Sequence, residues 1–217
     1  MALIARFGSI PTHLFLWSAV LLSAGCGVSA PERLEVTSVG NTPRTLRADL
    51  GVGTYAQEIA NTSFVLSDLS AAELEAGGPL NGHLLHVDLL WIPKAGKTAV
   101  DPQATNASLR LVIFSGKEIG VYGGGGFAWP QGDPGDPTLG IDIVGSSLSL
   151  VAATDGFHDL LSPAELTGRL LATHDPDSTR RLRRMTSQIV SNAFKRVQWV
   201  GADGESPLAQ RSAPAPQ

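Results

Sequence analysis

Short apolar runs separated by glycine, proline and polar residues dominate the middle of this chain. The clearest run, 84–92, predicts a strand in which the odd-numbered residues from Leu85 to Trp91 point to one side and the even-numbered residues from Leu84 to Leu90 to the other. Shorter runs of the same character are 109–114, 119–122, 139–144 and 148–151, with weaker ones at 45–50, 63–66 and 169–173. Many short strands with such punctuation predict a mainly β fold, either an antiparallel sandwich or a barrel.

Turn residues between these runs predict two hairpins. The turn 115–118 lies between the runs 109–114 and 119–122, and Gly116 is the first of its two central residues. Hairpin turns favour glycine at this position. Gly145 and Ser146 stand between the runs 139–144 and 148–151 and predict a second hairpin.

Helical signals are fewer. Ser70 and Ser162 each stand three residues before a glutamate, the pattern of a capping box, and predict short capped helical turns. Near the C-terminus, Asp175 and Pro176 form a good N-cap and first-turn pair. Apolar residues then recur on one face at helical spacing, at Leu182, Met185, Ile189, Ala193 and Val197.

This pattern predicts an amphipathic helix over about 176–198 that lies across a sheet or fills a barrel mouth. Four arginines, at positions 180, 181, 183 and 184, are expected on its solvated face.

The N-terminal segment has a different character. A weakly positive start containing Arg6 is followed by the apolar stretch 13–22 and then by small residues up to Cys26. This charged, apolar and small-residue order is that of a secretory signal. The apolar stretch is short for a membrane span.

The sequence Leu22-Ser23-Ala24-Gly25-Cys26 resembles the lipobox of bacterial lipoproteins. The resemblance covers residues 1–26 only, and the globular part resembles no family that we recognise. It implies that residues 1–25 are removed and that Cys26 carries a lipid such as diacylglycerol or palmitate. Gly27 follows, where an inner-membrane retention signal often has aspartate, which favours outer-membrane or periplasm-facing placement in the cell envelope.

Composition shifts suggest four regions. After the signal, 1–25, the polar and aperiodic segment 26–44 is predicted to be a flexible tether. The region 45–200 is predicted to be one β-rich globular domain. The segment 201–217, rich in proline, alanine, glycine and serine, is predicted to be a disordered tail.

Charge and cysteine content limit the partners, crosslinks and metal sites that the chain can have. The formal net charge is -4, and loss of Arg6 with the signal makes the mature chain one unit more negative. An acidic chain argues against nucleic acid as a partner, since phosphate binding needs a basic surface. Cys26 is the single cysteine, so a lipidated chain has no thiol left for a disulfide or a cysteine-bound metal.

Familiar catalytic and cofactor motifs are absent from the sequence. The segment 96–98 ends like a phosphate-binding loop but lacks the earlier glycine, because Trp91 stands there. The glycines of 51–56 lack a following helix for dinucleotide binding. The sequence contains no nucleophile elbow and no paired-histidine zinc helix, so we predict neither a cofactor nor a metal.

Imidazole and carboxylate groups are the remaining catalytic candidates. His86 and Asp88 share one face of the predicted strand, where they could orient one ligand together, and His158 could join them from a turn. The simpler interpretation is that the pair forms the polar face of an amphipathic strand, and we favour it. Asp133 and Asp136 lie in a proline- and glycine-rich stretch and are expected to form a turn rather than a calcium site.

The most distinctive stretch is 121–130, in which four consecutive glycines are flanked by aromatic residues. Backbone without side chains at Gly124 and its neighbours permits close approach by a ligand or another chain. Tyr122, Phe127 and Trp129 could stack on a sugar or bury an apolar group of a partner. A bulged strand covered by its own aromatic residues is the structural alternative, which we favour.

Two functional hypotheses follow. The first is a non-enzymatic envelope lipoprotein whose β domain has a binding or assembly role, with an envelope protein, a glycan or a lipid as its partner. The second is an envelope hydrolase that uses His86, Asp88 and His158. Convergence of these three side chains in a concave pocket would favour the hydrolase.

Overall fold

The computed structural model describes residues 33–59, 61–93 and 105–196, most of which belong to a nine-stranded sheet and two helices. The strands are β1 (Arg33–Ser38), β2 (Thr45–Ala48), β3 (Val52–Gln57), β4 (Thr62–Ser67), β5 (Leu80–Leu89), β6 (Ala107–Gly116), β7 (Glu118–Gln131), β8 (Thr138–Ala153) and β9 (Ala164–His174). The helices are α1 (Ala71–Ala76) and α2 (Pro176–Phe194). The prediction of a mainly β fold with one long C-terminal helix is confirmed.

The strands β3 to β9 form a closed ring in chain order, because β9 pairs with β8 on one edge and with β3 on the other. The β3–β9 contact is parallel and short, and the other neighbours in the ring are antiparallel. The β1–β2 hairpin extends the sheet outward from the first half of β9. Of the two predicted alternatives, this strand order is that of a barrel.

Alternating side chains fill the interior of the ring. Leu85, Val87 and Leu89 of β5 are fully buried there, as their period predicts, together with Tyr55 and Phe64 from β3 and β4. Burial of each such side chain contributes about 1.5–3 kcal/mol relative to exposure. The strand was predicted to continue to residue 92, but β5 ends at Leu89 and Trp91 is exposed beyond it.

The outer face of the ring carries a second apolar layer under the helices. Val65, Leu84 and Val112 from three neighbouring strands pack with Leu182 and Val190 of α2. The N-cap of α2 is Asp175, whose side chain accepts a hydrogen bond from the Ser178 amide at 2.9 Å. In the described ranges neither helix combines the length and apolar character needed to cross a membrane.

The helix α2 therefore lies across the sheet, which is one of its two predicted positions. It ends at Phe194, earlier than predicted, with Lys195 in the left-handed conformation that closes a helix. The predicted last residues, 197 and 198, and the predicted tail, 201–217, lie outside the described residues.

Three further sequence predictions about the fold are wrong. The tether cannot extend to residue 44, because β1 lies within the sheet with Leu34 and Val36 fully buried. Gly145 and Ser146 do not form a hairpin, since β8 runs through them with a bulge between Ile143 and Ser146.

The third error concerns the capped turns. Ser70 and Glu73 form the capping box of α1, but the segment that follows Ser162 becomes β9. Pairing of Ala164–Arg169 with β1 and of the same strand with β8 buries its apolar side chains in the sheet, which overrides the local helical signal.

Candidate functional site

His86 and Asp88 project from β5 onto the outer face of the barrel, beneath α2. The Nε2 atom of His86 lies 2.9 Å from the hydroxyl oxygen of Ser63 on β4 and 3.4 Å from Oδ1 of Asp88. Asn61 donates a hydrogen bond of 3.1 Å from its amide nitrogen to the same carboxylate oxygen. The structure thus brings the histidine and aspartate together, with a serine that the sequence did not single out.

These three side chains have the chemistry of a catalytic triad but not its geometry. In a triad the carboxylate binds one ring nitrogen of the histidine while the serine hydroxyl lies against the other. Here both Ser63 and Asp88 lie against Nε2 of His86. Ser63 is fully buried and His86 is only 3% exposed, so a substrate has no access to the hydroxyl. The group is a buried polar cluster that supports the contact between sheet and helix.

Arg183 of α2 lies against this cluster and pairs with Glu58. Its Nη1 atom donates a 2.7 Å hydrogen bond to Oε1 of Glu58, and the residue is 4% exposed. Its Nε and Nη2 atoms are buried without a hydrogen-bond partner in the described part of the chain. The expectation that all four arginines of α2 lie on a solvated face is therefore wrong for Arg183, whose helical position faces the sheet.

The charge of Arg183 also affects Asp88. Burial acts to raise the pKa of Asp88, but hydrogen bonds from His86 and Ser63, with electrostatic attraction to His86 and Arg183, outweigh it. The pKa of this carboxyl consequently lies below its ordinary value, and the group is a carboxylate at neutral pH.

His158 is separate from this cluster. It is exposed in the segment between β8 and β9, next to Phe157, whose ring packs edge-on against Tyr122 with centroids 6.3 Å apart. Within 33–59, 61–93 and 105–196, no three histidine, cysteine, aspartate or glutamate side chains gather in a way that could hold a metal ion. The three catalytic candidates thus do not converge.

Asp133 and Asp136 form a turn between β7 and β8, in line with the sequence expectation. The Asp133 amide donates a 2.9 Å hydrogen bond to the Asp136 side chain, and the Asp136 amide donates one to the Asp133 carbonyl at 3.0 Å.

The glycine-rich stretch forms the central part of β7, and its aromatic residues face opposite ways. Tyr122 points into the interior, where it is almost fully buried and donates a 2.8 Å hydrogen bond to Asp159. Burial and the nearby Asp159 carboxylate both raise the pKa of Tyr122 well above its ordinary value. Tyr122 is therefore a core residue. The prediction that it shares a binding surface with Phe127 and Trp129 is wrong.

Gly124 allows the strands β7 and β8 to lie close together. A Cβ atom at this position would collide with the backbone carbonyl of Ser147 on β8, so any side chain would push the strands apart. At Gly123, by contrast, a Cβ would lie 3.1 Å from the Val151 side chain. The structural interpretation of a bulged strand fits Gly124, because β7 and β8 shift register between Gly125 and Phe127.

A shallow groove lies beside α2, next to Gly123 and Gly124 of β7. Its volume is about 420 Å³, and it is lined by Ser108, Arg110, Gly123, Gly124, Val151 and Val190. At Gly123 the absent side chain leaves room next to Val151, which lines the same groove. Arg110 is the one charged group that lines it, so the groove does not present the converging polar groups typical of a catalytic pocket.

Phe127 and Trp129 lie on the outer face of β7, where they join an aromatic residue that the sequence did not place there. The ring of Phe127 is 6.2 Å from that of Trp91 in an edge-on arrangement and 6.0 Å from that of Trp129, tilted by 39°. Trp91 is 39% exposed, and Phe127 and Trp129 are partly exposed. Val144, directly across from Phe127 on β8, is exposed as well. We call these four residues the aromatic face.

A polar row borders the aromatic face. Asp142 of β8 lies opposite Trp129 of β7, and on its other side it faces Arg169 of β9. Arg169 donates two hydrogen bonds to the Asp142 carboxylate, at 2.8 and 3.2 Å, and Gln131 donates a third at 3.0 Å. Charges next to the aromatic rings are therefore paired with each other.

Trp91 is held by the chain that returns into β6. Its indole nitrogen donates a 3.3 Å hydrogen bond to the Thr105 carbonyl, and its own carbonyl accepts one from the Asn106 side chain at 3.3 Å. Asn106 is fully buried and also exchanges two hydrogen bonds with the Ala128 backbone, at 2.7 and 2.8 Å. This network fixes Trp91 beside Phe127 in the absence of strand pairing.

Comparison with protein-family models, with curated proteins and with solved structures gives no match to this chain.

Proposed function

We propose that this chain is a lipid-anchored protein of the bacterial cell envelope whose barrel is a non-enzymatic binding domain. The aromatic face carries the proposal. Trp91, Phe127 and Trp129 form a continuous group of rings on the surface of a barrel whose interior is packed with its own side chains. Contiguous exposed apolar side chains of this kind are typical of surfaces that bind a protein, a glycan or a lipid.

The proposed anchor is the lipid on Cys26. The lipobox-like segment 22–26 supports it, and Gly27 favours an outer-membrane or periplasm-facing position. With β1 beginning at Arg33, the tether between the lipid and the sheet shortens to about seven residues.

The alternative, an envelope hydrolase, has less support. His86 and Asp88 are in contact but lie beneath α2, and His158 is exposed in a different segment. A hydrolase needs a nucleophile or activated water that a substrate can reach.

Site-specific photo-crosslinking tests the binding surface in the native envelope. A photoreactive p-benzoyl-phenylalanine is introduced at Val144 on the aromatic face or, as the matched control, at Val151, which is similarly exposed further along β8. The two positions are about 23 Å apart along the strand. We expect covalent adducts with an envelope component from position 144 and none from position 151, as detected by mass spectrometry. Equal adducts from both positions, or none from position 144, would contradict the proposal.

A further inference from the structure

We infer that the aromatic face binds the interfacial layer of the same bilayer that holds the Cys26 lipid. This inference rests on the proposed function and names the partner of its binding surface. It follows from the position at which the tether enters the sheet, from the chemistry of the exposed side chains and from the pairing of nearby charges.

The tether enters the sheet in the row of paired residues that contains Trp129 of the aromatic face. Arg33, the first residue of β1, pairs with Arg169 of β9; Arg169 pairs with Asp142 of β8, and Asp142 with Trp129 of β7. Neighbouring strands are about 4.8 Å apart, so Trp129 lies about 14 Å from Arg33 across the sheet.

The reach of the tether limits how far the barrel can stand from the membrane. Seven residue steps separate Cys26 from Arg33. A fully extended chain covers at most about 3.6 Å per residue, so Arg33 is no more than about 25 Å from the lipidated residue. The distance from Arg33 to Trp129 across the sheet is shorter than this reach, so the tether allows the aromatic face to contact the headgroups.

The exposed side chains suit the boundary between headgroups and acyl chains. Tryptophan is enriched at this depth because its ring is largely apolar while its N–H is polar. Leu90 and Ile92, which flank Trp91 in the sequence, and Val144, which lies opposite Phe127, are also exposed. A sugar surface would use the rings but would leave these aliphatic groups without a role, whereas a bilayer interface removes them from water.

The charged residues beside the aromatic face are paired, which allows this face to approach a bilayer that contains anionic lipids. Arg169 is paired with Asp142, and Arg33 with Asp49, so the row that reaches the tether carries no excess of negative charge to be repelled by anionic lipids. The aromatic rings are tilted with respect to one another and do not share one plane. This arrangement favours contact with the fluid interfacial layer of a bilayer over contact with a flat, rigid ligand.

Tryptophan quenching tests the inference on the full lipidated chain. The Trp199→Phe variant leaves Trp91 and Trp129 as the tryptophans of the mature chain. It is reconstituted in vesicles of phosphatidylethanolamine and phosphatidylglycerol, with or without bromine on the acyl chains near the headgroup. We expect the bromine to reduce tryptophan emission, because quenching requires the rings to lie at the interface.

Two charged variants form a matched pair. Val144→Asp places a charge on the aromatic face, and Val151→Asp places one at a similarly exposed position elsewhere on β8. Neither position is in the core, so both variants are expected to fold. We expect Val144→Asp to abolish the quenching and Val151→Asp to retain it.

Equal emission in brominated and unbrominated vesicles, or quenching that is unchanged by Val144→Asp, would overturn the inference. In that case photo-adducts from position 144 with an envelope protein or glycan would leave the proposed binding surface intact and assign it another partner. A lack of adducts from position 144 with any envelope component would remove the proposed function as well.

Discussion

Replacing Glu58 with alanine is expected to lower the free energy of unfolding by roughly 3 kcal/mol, because the buried Arg183 guanidinium would lose its hydrogen-bonded partner and keep only the weaker attraction of the Asp88 carboxylate. Arg183 already has two buried nitrogens without a hydrogen-bond partner among the described residues, and the bond to Glu58 is its one defined ion pair. Glu58 is itself partly exposed, which keeps the expected cost at the lower end for a buried pair. Urea unfolding of the purified full chain measures the change.

Two substitutions make this experiment specific. Arg183→Met removes the cation together with its unpaired donors, so we expect it to cost much less than Glu58→Ala. Arg180→Met breaks a pair with Asp177 on the solvated side of the same helix and is expected to change stability by less than about 1 kcal/mol. If Arg183→Met cost as much as Glu58→Ala, the pair would be a net source of stability and the explanation would be wrong.

A second large effect is expected in β7, where Gly124→Ala should destabilise the protein by at least about 2 kcal/mol. The new methyl group would meet the Ser147 carbonyl, which belongs to the backbone of β8 and cannot rotate away. The register shift between β7 and β8 lies next to this contact, so separation of the strands would disturb the wall of the barrel.

Gly123→Ala is the matched control for this prediction. Its methyl group would approach only the Val151 side chain, which is exposed and can adjust. Alanine also restricts the unfolded chain more than glycine does, so we expect little change or a slight gain in stability. Thermal unfolding of the two variants should separate them clearly; similar melting temperatures would show that Gly124 is not required for strand approach.

The sequence predicted the fold class because the relevant signals are local. Alternation in 84–92 places Leu85, Val87 and Leu89 in the core, and the Asp175–Pro176 pair begins α2 where expected. The two errors in β8 and β9 have a common cause. Gly145 and Ser162 carry turn or cap signals, but pairing with neighbouring strands decides their conformation, and a single sequence does not contain that pairing.

The start of β1 is not apparent from the sequence for a related reason. Only Leu34 and Val36 of β1 are strongly apolar, which is too short a pattern to indicate a strand by itself. Their burial results from pairing with β9, more than 120 residues later in the chain.

The candidate site was only partly predictable. Two residues on a strand that are separated by one position must share a face, so the proximity of His86 and Asp88 follows from the sequence. That α2 covers them does not follow, because Arg183 sits between two exposed arginines in the pattern and looks like part of a solvated face. Similarly, Phe127 and Trp129 were identified, but Trp91 joins them through a contact between chain segments more than 30 residues apart.

Both the proposed function and the membrane inference depend on the lipid at Cys26, and metabolic labelling tests it most directly. Cells that produce the full chain are grown with radiolabelled palmitate, and the protein is isolated by affinity capture under denaturing conditions. Since Cys26 is the single cysteine, no other thiol can take its place. We expect the wild-type chain to be labelled and to partition with membranes, and Cys26→Ala to carry no label. An unlabelled wild-type chain, or equal labelling of Cys26→Ala, would contradict the lipid anchor.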